Sequence, residues 1–302
     1  MKRAAWLIAA SLAASAILRA QSPTFRSDTR LVVLHSTVTD QHGTLVTDLD
    51  RHAFAVYENG RRQPIALFRR DDVPVSLGLL IDNSGSMRNL RSRVEAAALA
   101  FVRASNPDDE VFVVNFADKV RVDVPMTRDI RAVESGIGRV DSIGGTALRD
   151  AVRLAERYLQ QHATRDRHVL LAITDGKDNA SETTVKEIET LSEHSETAVF
   201  GIGLFGDDSG SSKQGRRELD TLTTRTGGIA FYPAGIEQIE ADALALARQI
   251  RQQYTIGYTP TNQALDSTYR AIRVNANIDG RSEHLSVHTR AGYRADPAPA
   301  SQ

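Results

Sequence analysis

Between Val75 and Ile250 short, almost wholly apolar runs alternate with amphipathic stretches, and this alternation constrains the fold more than any other feature of the chain. The runs VSLGLLID, EVFVVNFA, HVLLAIT, TAVFGIG and IAFYP are rich in Val, Ile, Leu and Phe. Most are too continuously apolar to be strands with one wet face, so they read as buried strands of a mostly parallel sheet. Helical spacing fills the gaps: Leu90, Val94, Ala97, Ala98, Phe101 and Val102 ahead of Asn106-Pro107; Leu148, Ala151, Val152, Ala155, Tyr158 and Leu159; then Ile236, Ile239, Ala243, Leu246 and Ile250. The implied class is α/β, a Rossmann-like open, mainly parallel sheet with helices on both faces.

On either side of this region the hydrophobic period drops to two. Residues 24–72 contain RLVVLHSTVTD, GTLVTDL, FAVYENG and PIALFRR, punctuated by His42-Gly43 and by Asn59-Gly60, a strong hairpin signal. Residues 251–294 contain QYTIGYTP, YRAIRVNANIDG and HLSVHTR, with Tyr254, Ile256 and Tyr258 alternating and a turn at Asp279-Gly280. Each flank is near the lower size limit for a fold of its own, which predicts that the two pair into one small β-sandwich-like module beside the α/β domain at 73–250. The last stretch, 295–302 (ADPAPASQ), reads as a disordered tail.

The N-terminus, MKRAAWLIAASLAASAILRAQ, places two basic residues before an apolar stretch from Ala4 to Leu18 and small residues around Ala20. That order is a secretory signal, residues 1–20, and its apolar part falls short of the roughly 20 residues that span a bilayer. Cleavage after Ala20 predicts a secreted or periplasmic chain of the bacterial envelope with no membrane span. Leu18 fits the cleavage site less well than Ala, leaving an uncleaved anchor as the alternative. The chain has no cysteine, which excludes disulfides and thiolate metal sites. A formal net charge of -1 lacks the basic excess of a dedicated nucleic-acid binder.

Against this background IDNSGSM, at residues 81–87, stands out, because Asp82, Ser84 and Ser86 follow an apolar strand at alternate positions. Ligands of open α/β sheets bind at the carboxyl ends of strands. Two further interruptions fall at equivalent places: GGTALRD puts Thr146 at a helix start, and AITDGKDN puts Asp175 directly after a strand. Three hydroxyls and two carboxylates, without His or Cys, suit a hard divalent cation such as Mg²⁺ or Mn²⁺ and leave a position open to another oxygen. Helix capping explains any one of these residues but not all five together.

With these three loops in register, residues 73–250 resemble the von Willebrand factor type A family with its complete metal-ion-dependent adhesion site: D-x-S-x-S at Asp82, Ser84 and Ser86, GGT at Thr146 and TDG at Asp175. The resemblance implies that Ser84 and Ser86 ligate the ion directly, Asp82 and Asp175 mainly through water, and Thr146 by either route. The flanks are similar to those of bacterial exported proteins related to this family. The expected function is metal-dependent protein binding or adhesion without turnover, in which the cation bridges to a carboxylate of a partner protein. Two other classes stay open: a Mg²⁺-dependent phosphoester hydrolase using Asp82, and a metal-free structural scaffold of the envelope.

Other motifs carry less. GIGLFG, residues 201–206, satisfies G-x-G-x-x-G, but it lies on a late strand and leads into DDSGSSKQG, which reads as a surface loop instead of a helix. GDDSG lacks the positioned His and buried Asp of a charge-relay site. His284 and His288 have the spacing of helical metal ligands but sit in an alternating strand pattern, as exposed strand histidines.

Overall fold

A computed structural model describes residues 30–137, 143–205, 210–277 and 284–297, and the expected signal segment lies outside them. In chain order the elements are β1 (Val32–Thr39), β2 (Phe54–Glu58), β3 (Arg61–Gln63), β4 (Ile65–Arg69), β5 (Val75–Asp82), α1 (Arg91–Ala104), β6 (Glu110–Phe116), β7 (Val120–Thr127), α2 (Ile130–Ile137), α3 (Leu148–His162) and β8 (Arg167–Thr174). They continue with α4 (Val185–His194), β9 (Ala198–Gly203), α5 (Gly210–Thr226), β10 (Ala230–Phe231), α6 (Ile239–Arg251), β11 (Tyr254–Tyr258), β12 (Tyr269–Ala276), β13 (Ser286–His288) and β14 (Gly292–Arg294).

The central sheet has the order β10-β9-β8-β5-β6-β7, parallel except for β7, which runs antiparallel on the edge beside β6. Buried along its whole length, β5 sends Leu77, Leu79 and Ile81 to one face and Leu80 to the other. The first face packs on α1, α2 and α6 through Phe101, Ile137 and Leu246; the second packs on α3, α4 and α5 through Leu159, Ile188 and Leu219. This is the doubly wound α/β arrangement expected from the sequence. Gly78 is required by packing: a Cβ there would lie 2.5 Å from both Leu170 and Phe112.

From β5 the chain moves outward to β6 and β7, then returns to lay β8 on the other side of β5. The order of strands therefore reverses at the carboxyl ends of β5 and β8, where open α/β sheets form their binding crevices.

The flanks form two antiparallel four-stranded sheets, β13-β1-β11-β4 and β14-β12-β2-β3, each drawing strands from both ends of the sequence. Leu34 pairs with Ile256 in one sheet and Val56 with Val274 in the other. Their inner faces share one core that includes Leu34, Phe54, Val56, Tyr254, Ile256 and Tyr293. The Asn59-Gly60 signal forms the β2–β3 turn, with φ of 47° and 77° as a two-residue hairpin of that type requires.

Several details differ from the sequence reading. β7, whose alternation of exposed and inward residues suits an edge, had no counterpart in it. DDSGSSKQG is not all loop, because α5 begins at Gly210 and packs Leu219 and Leu222 against the sheet. IAFYP is paired only over Ala230–Phe231. His288, expected to be exposed, is half-buried in β13. Ala295, where the tail was expected to begin, is buried and is hydrogen-bonded to Thr268 and Ser267; 298–302 lie outside the described residues.

Candidate metal centre

Asp82 is the last residue of β5, and the chain continues along β6 for one more step, with the Asn83 N–H donating to the Phe116 carbonyl at 2.7 Å. The Asn83 side-chain amide donates to the Asn115 side chain at 2.6 Å and to the Ile81 carbonyl at 3.2 Å. Ser84 is extended (φ −62°, ψ 164°) and opens the 3₁₀ turn Gly85–Asn89, which carries Ser86 to the surface.

The structure brings the five expected residues to one edge. The Asp82 carboxylate, 2 % exposed, accepts the Ser84 N–H at 2.8 Å and the Thr174 hydroxyl at 2.6 Å. The Ser86 hydroxyl donates to Asp175 Oδ1 at 2.8 Å and lies 3.1 Å from Ser84 Oγ. Thr146 is buried, with Oγ1 3.0 Å from where a Cβ on Gly176 would lie, which sets it against the residue after Asp175.

Backbone bonds hold the loops in this register. The Gly85 N–H donates to the Gly144 carbonyl at 3.1 Å, and the Ile143 N–H to the Asn83 carbonyl at 3.1 Å. Asp118, after β6, accepts the Gly145 N–H at 2.5 Å. Gly144 has φ +88° and its missing side chain leaves room for the Asp118 carboxylate, so the Gly-Gly pair is a steric and conformational requirement.

The electrostatics favour a cation. Burial pushes the Asp82 carboxyl up from 3.8 to about 6, against the hydrogen bonds from Thr174 and Ser84, and the neighbouring Asp175 adds to the rise. Asp175 is also raised, by burial first, against the Ser86 hydroxyl. Among the described residues neither carboxylate has a Lys or Arg ion-pair partner, so the edge concentrates negative charge that no side chain neutralises. The donors are hard oxygens, and the 2.8 and 3.1 Å separations along Asp175–Ser86–Ser84 are close to the edge of about 3 Å between neighbouring oxygens of an octahedral Mg²⁺ shell. The donor set fits a small divalent ion.

Sequence reasoning missed the supporting groups. Thr174 steadies Asp82, Asp118 cradles the Gly144-Gly145 turn, and Asn179 accepts the Thr146 N–H through Oδ1 at 2.8 Å. The only advance signal for Thr174 was its place as the final residue of a buried strand; Asp118 and Asn179 are exposed loop residues with none. The glycines of GIGLFG that are described serve packing: a Cβ on Gly201 would meet Leu219, and one on Gly203 would meet Phe205 and Tyr232.

The family model of the von Willebrand factor type A domain matches residues 77–177, which include all five residues. Domains of that family are in general interaction modules, often metal-dependent. No curated protein matches the chain. Among solved structures, a von Willebrand factor type A protein from Catenulispora acidiphila is 14% identical, with a TM-score of 0.51, covering 90% of this chain and 75% of that one. At that identity the likeness is one of fold. An aerotolerance-related membrane protein from Bacteroides fragilis is 18% identical, with a TM-score of 0.49, covering 58% of this chain and 98% of that one. Proximal thread matrix protein 1 from the mussel byssus, with a zinc-occupied MIDAS motif, is 16% identical, with a TM-score of 0.49, covering 64% of this chain and 49% of that one.

Proposed function

We propose that Asp82, Ser84, Ser86, Thr146 and Asp175 hold Mg²⁺ or Mn²⁺, and that the chain recognises a partner protein through a carboxylate that completes the shell, with no turnover. When bound, the ion supplies a Lewis-acidic position for an anionic oxygen. The chain's own residues do the rest. Ser84 and Ser86 present neutral oxygens, Asp82 and Asp175 supply two negative charges that leave a divalent ion unsaturated, and the apolar core beneath β5 excludes water from one side and strengthens attraction to an incoming anion.

The observation that carries this reading is the line Ser84–Ser86–Asp175 beside a buried Asp82 with no cationic partner. A basic, apolar and small-residue order at the N-terminus adds an exported, envelope-facing setting to the proposal.

An ion bound only by the folded chain stabilises it by about 2.7 kcal/mol when free ion stands a hundredfold above the dissociation constant. Thermal unfolding is expected to rise with MgCl₂ or MnCl₂ and to fall back with EDTA. Asp82→Ala is expected to abolish that response together with chelator-sensitive capture of partners from an envelope fraction. Calorimetry showing no divalent-ion binding to folded wild-type chain would refute the proposal.

A further inference from the structure

Thr146 and Asp175 stand on loops from different strand connections, yet the structure joins the two loops into one block. The Asp178 side chain is completely buried and accepts the Arg149 N–H at 2.7 Å, the Ser181 N–H at 3.1 Å and the Ser181 hydroxyl at 2.7 Å. It also pairs with the Arg149 guanidinium at 3.1 Å. At the next residue of α3, the Asp150 carboxylate accepts the N–H groups of Glu182 and Thr183, both at 2.9 Å, and the Thr183 hydroxyl. Arg149 Nε donates to the Thr183 carbonyl at 2.7 Å. The Thr146 carbonyl accepts from Asn179 at 3.0 Å and Ala180 at 3.1 Å, while the Thr146 N–H goes to the Asn179 side chain.

The segment after Asp175 is thus fastened at every residue from Asp178 to Thr183, with Asp178, Ser181, Glu182 and Thr183 bonded to the first turn of α3 and Asn179 and Ala180 bonded to Thr146. Thr146 lies just before that turn. Among the described residues, the loop bearing Asp82, Ser84 and Ser86 meets this block through bonds from Gly85 to Gly144, from Ile143 to Asn83, from the Ser86 hydroxyl to Asp175 and from the Thr174 hydroxyl to Asp82. Thr146 and the segment that begins three residues after Asp175 are thus tied together by the chain's own hydrogen bonds.

We propose that Asp178 and Asp150 are positioning residues: acting through Asn179–Thr183, they hold Thr146 and Asp175 at a fixed spacing that selects a small divalent cation over a large one. This rests on the metal-bridging reading above. Mg²⁺ demands near-octahedral oxygens at 2.0–2.1 Å, whereas Ca²⁺ takes longer bonds, at about 2.3–2.6 Å, and accepts a looser, larger shell. A block held at one spacing suits the first ion better than the second. Loosening it penalises Mg²⁺ more than Ca²⁺.

Both aspartates also sit at the N-terminus of α3, where carboxylates stabilise a helix. A purely helix-stabilising role would lower the unfolding temperature without changing ion preference, so selectivity separates the two roles. The experiment is calorimetric titration of the whole chain with MgCl₂ and with CaCl₂ for wild type, Asp178→Asn and Ser181→Ala, with unfolding temperatures in EDTA as the measure of fold. Ser181→Ala removes one hydroxyl that bonds both Asp178 and the Asp150 N–H, and it leaves Arg149 paired if Asp178→Asn does not fold. Wild type is expected to prefer Mg²⁺. In the variants Mg²⁺ affinity is expected to fall on the order of tenfold or more, as for other residues that orient metal ligands, with a smaller change for Ca²⁺. Folded variants that keep the wild-type ratio of the two affinities would overturn the positioning role alone. A wild-type chain that binds neither ion would overturn the metal reading and this inference with it.

Discussion

Glu156 offers a test of the α/β core that is independent of any ion. It lies on α3, 3 % exposed, with its carboxylate accepting only hydroxyls: Ser195 at 2.9 Å and Thr197 at 3.0 Å. Burial pushes its carboxyl up from 4.5 to about 7, against those two hydrogen bonds. The native state therefore holds this proton more tightly than the unfolded chain does. The stabilisation is fully present below pH 4.5, falls as pH rises toward 7, and is gone above it. At about 1.4 kcal/mol per pH unit, the interval from 4.5 to about 7 is worth about 3 kcal/mol. Between pH 5 and pH 8 about 2.5 kcal/mol of this is expected to appear, because the unfolded carboxyl is already largely ionised at pH 5. Glu156→Gln keeps the shape and an acceptor oxygen but cannot ionise. Urea unfolding of both proteins at pH 5 and pH 8 isolates the residue: the variant's stability relative to wild type should be greater at pH 8 than at pH 5 by that amount. The same relative stability at both pH values would show that Glu156 does not titrate as its burial requires.

Two further perturbations probe the packing. Gly78→Ala places a methyl group 2.5 Å from Leu170 and Phe112, both fully buried, and is expected to cost about 1–3 kcal/mol in urea unfolding; an unchanged midpoint would contradict the close packing of β5. Tyr258→Phe removes one of the two phenol donors, at 2.8 and 2.9 Å, to buried Glu58 and is expected to cost about 1–3 kcal/mol; a loss within a few tenths would mean that Tyr293 alone satisfies that carboxylate.

The parts legible in the sequence are those in which one short stretch carries its own physical reason. β5, β6, β8 and β9 are buried on both sides and therefore continuously apolar, and the Asn59-Gly60 pair accepts the positive φ its turn demands. Asp82, Ser84 and Ser86 were visible because polar oxygens directly after an apolar strand need a purpose. By contrast, β7 hid because VRVDVPMT has one drier side and contains Pro125, as an edge strand tolerates. α5 hid because GSSKQGRRELDTLTTRT is mostly polar and anchors the helix through Leu219 and Leu222. Asp178, Asp150 and Asn179 act by hydrogen bonds between segments about thirty residues apart in sequence, and in a single sequence such residues look like ordinary solvated loop and helix-start positions.

The placement of the β module relative to the site decides what that module can contribute. Both crossings between it and the α/β domain, β4 to β5 and α6 to β11, occur at the amino end of the central sheet. There Arg251 pairs with Asp72 at 2.7 Å, and buried Arg167, at the start of β8, donates to Gln253, which in turn donates to Thr37 at 2.8 Å. The candidate centre is at the other end, after Asp82 and Thr174. Eight residues of β5 at 3.2–3.4 Å each separate the two ends by about 25 Å. The β module's side chains at that end are therefore out of reach of Ser86 and the candidate centre. Substitutions in the module's core are expected to change stability and not ion affinity. Tyr258→Phe gives the comparison: a folded variant whose Mg²⁺ dissociation constant differs severalfold from wild type would show that the two ends of the sheet are energetically coupled.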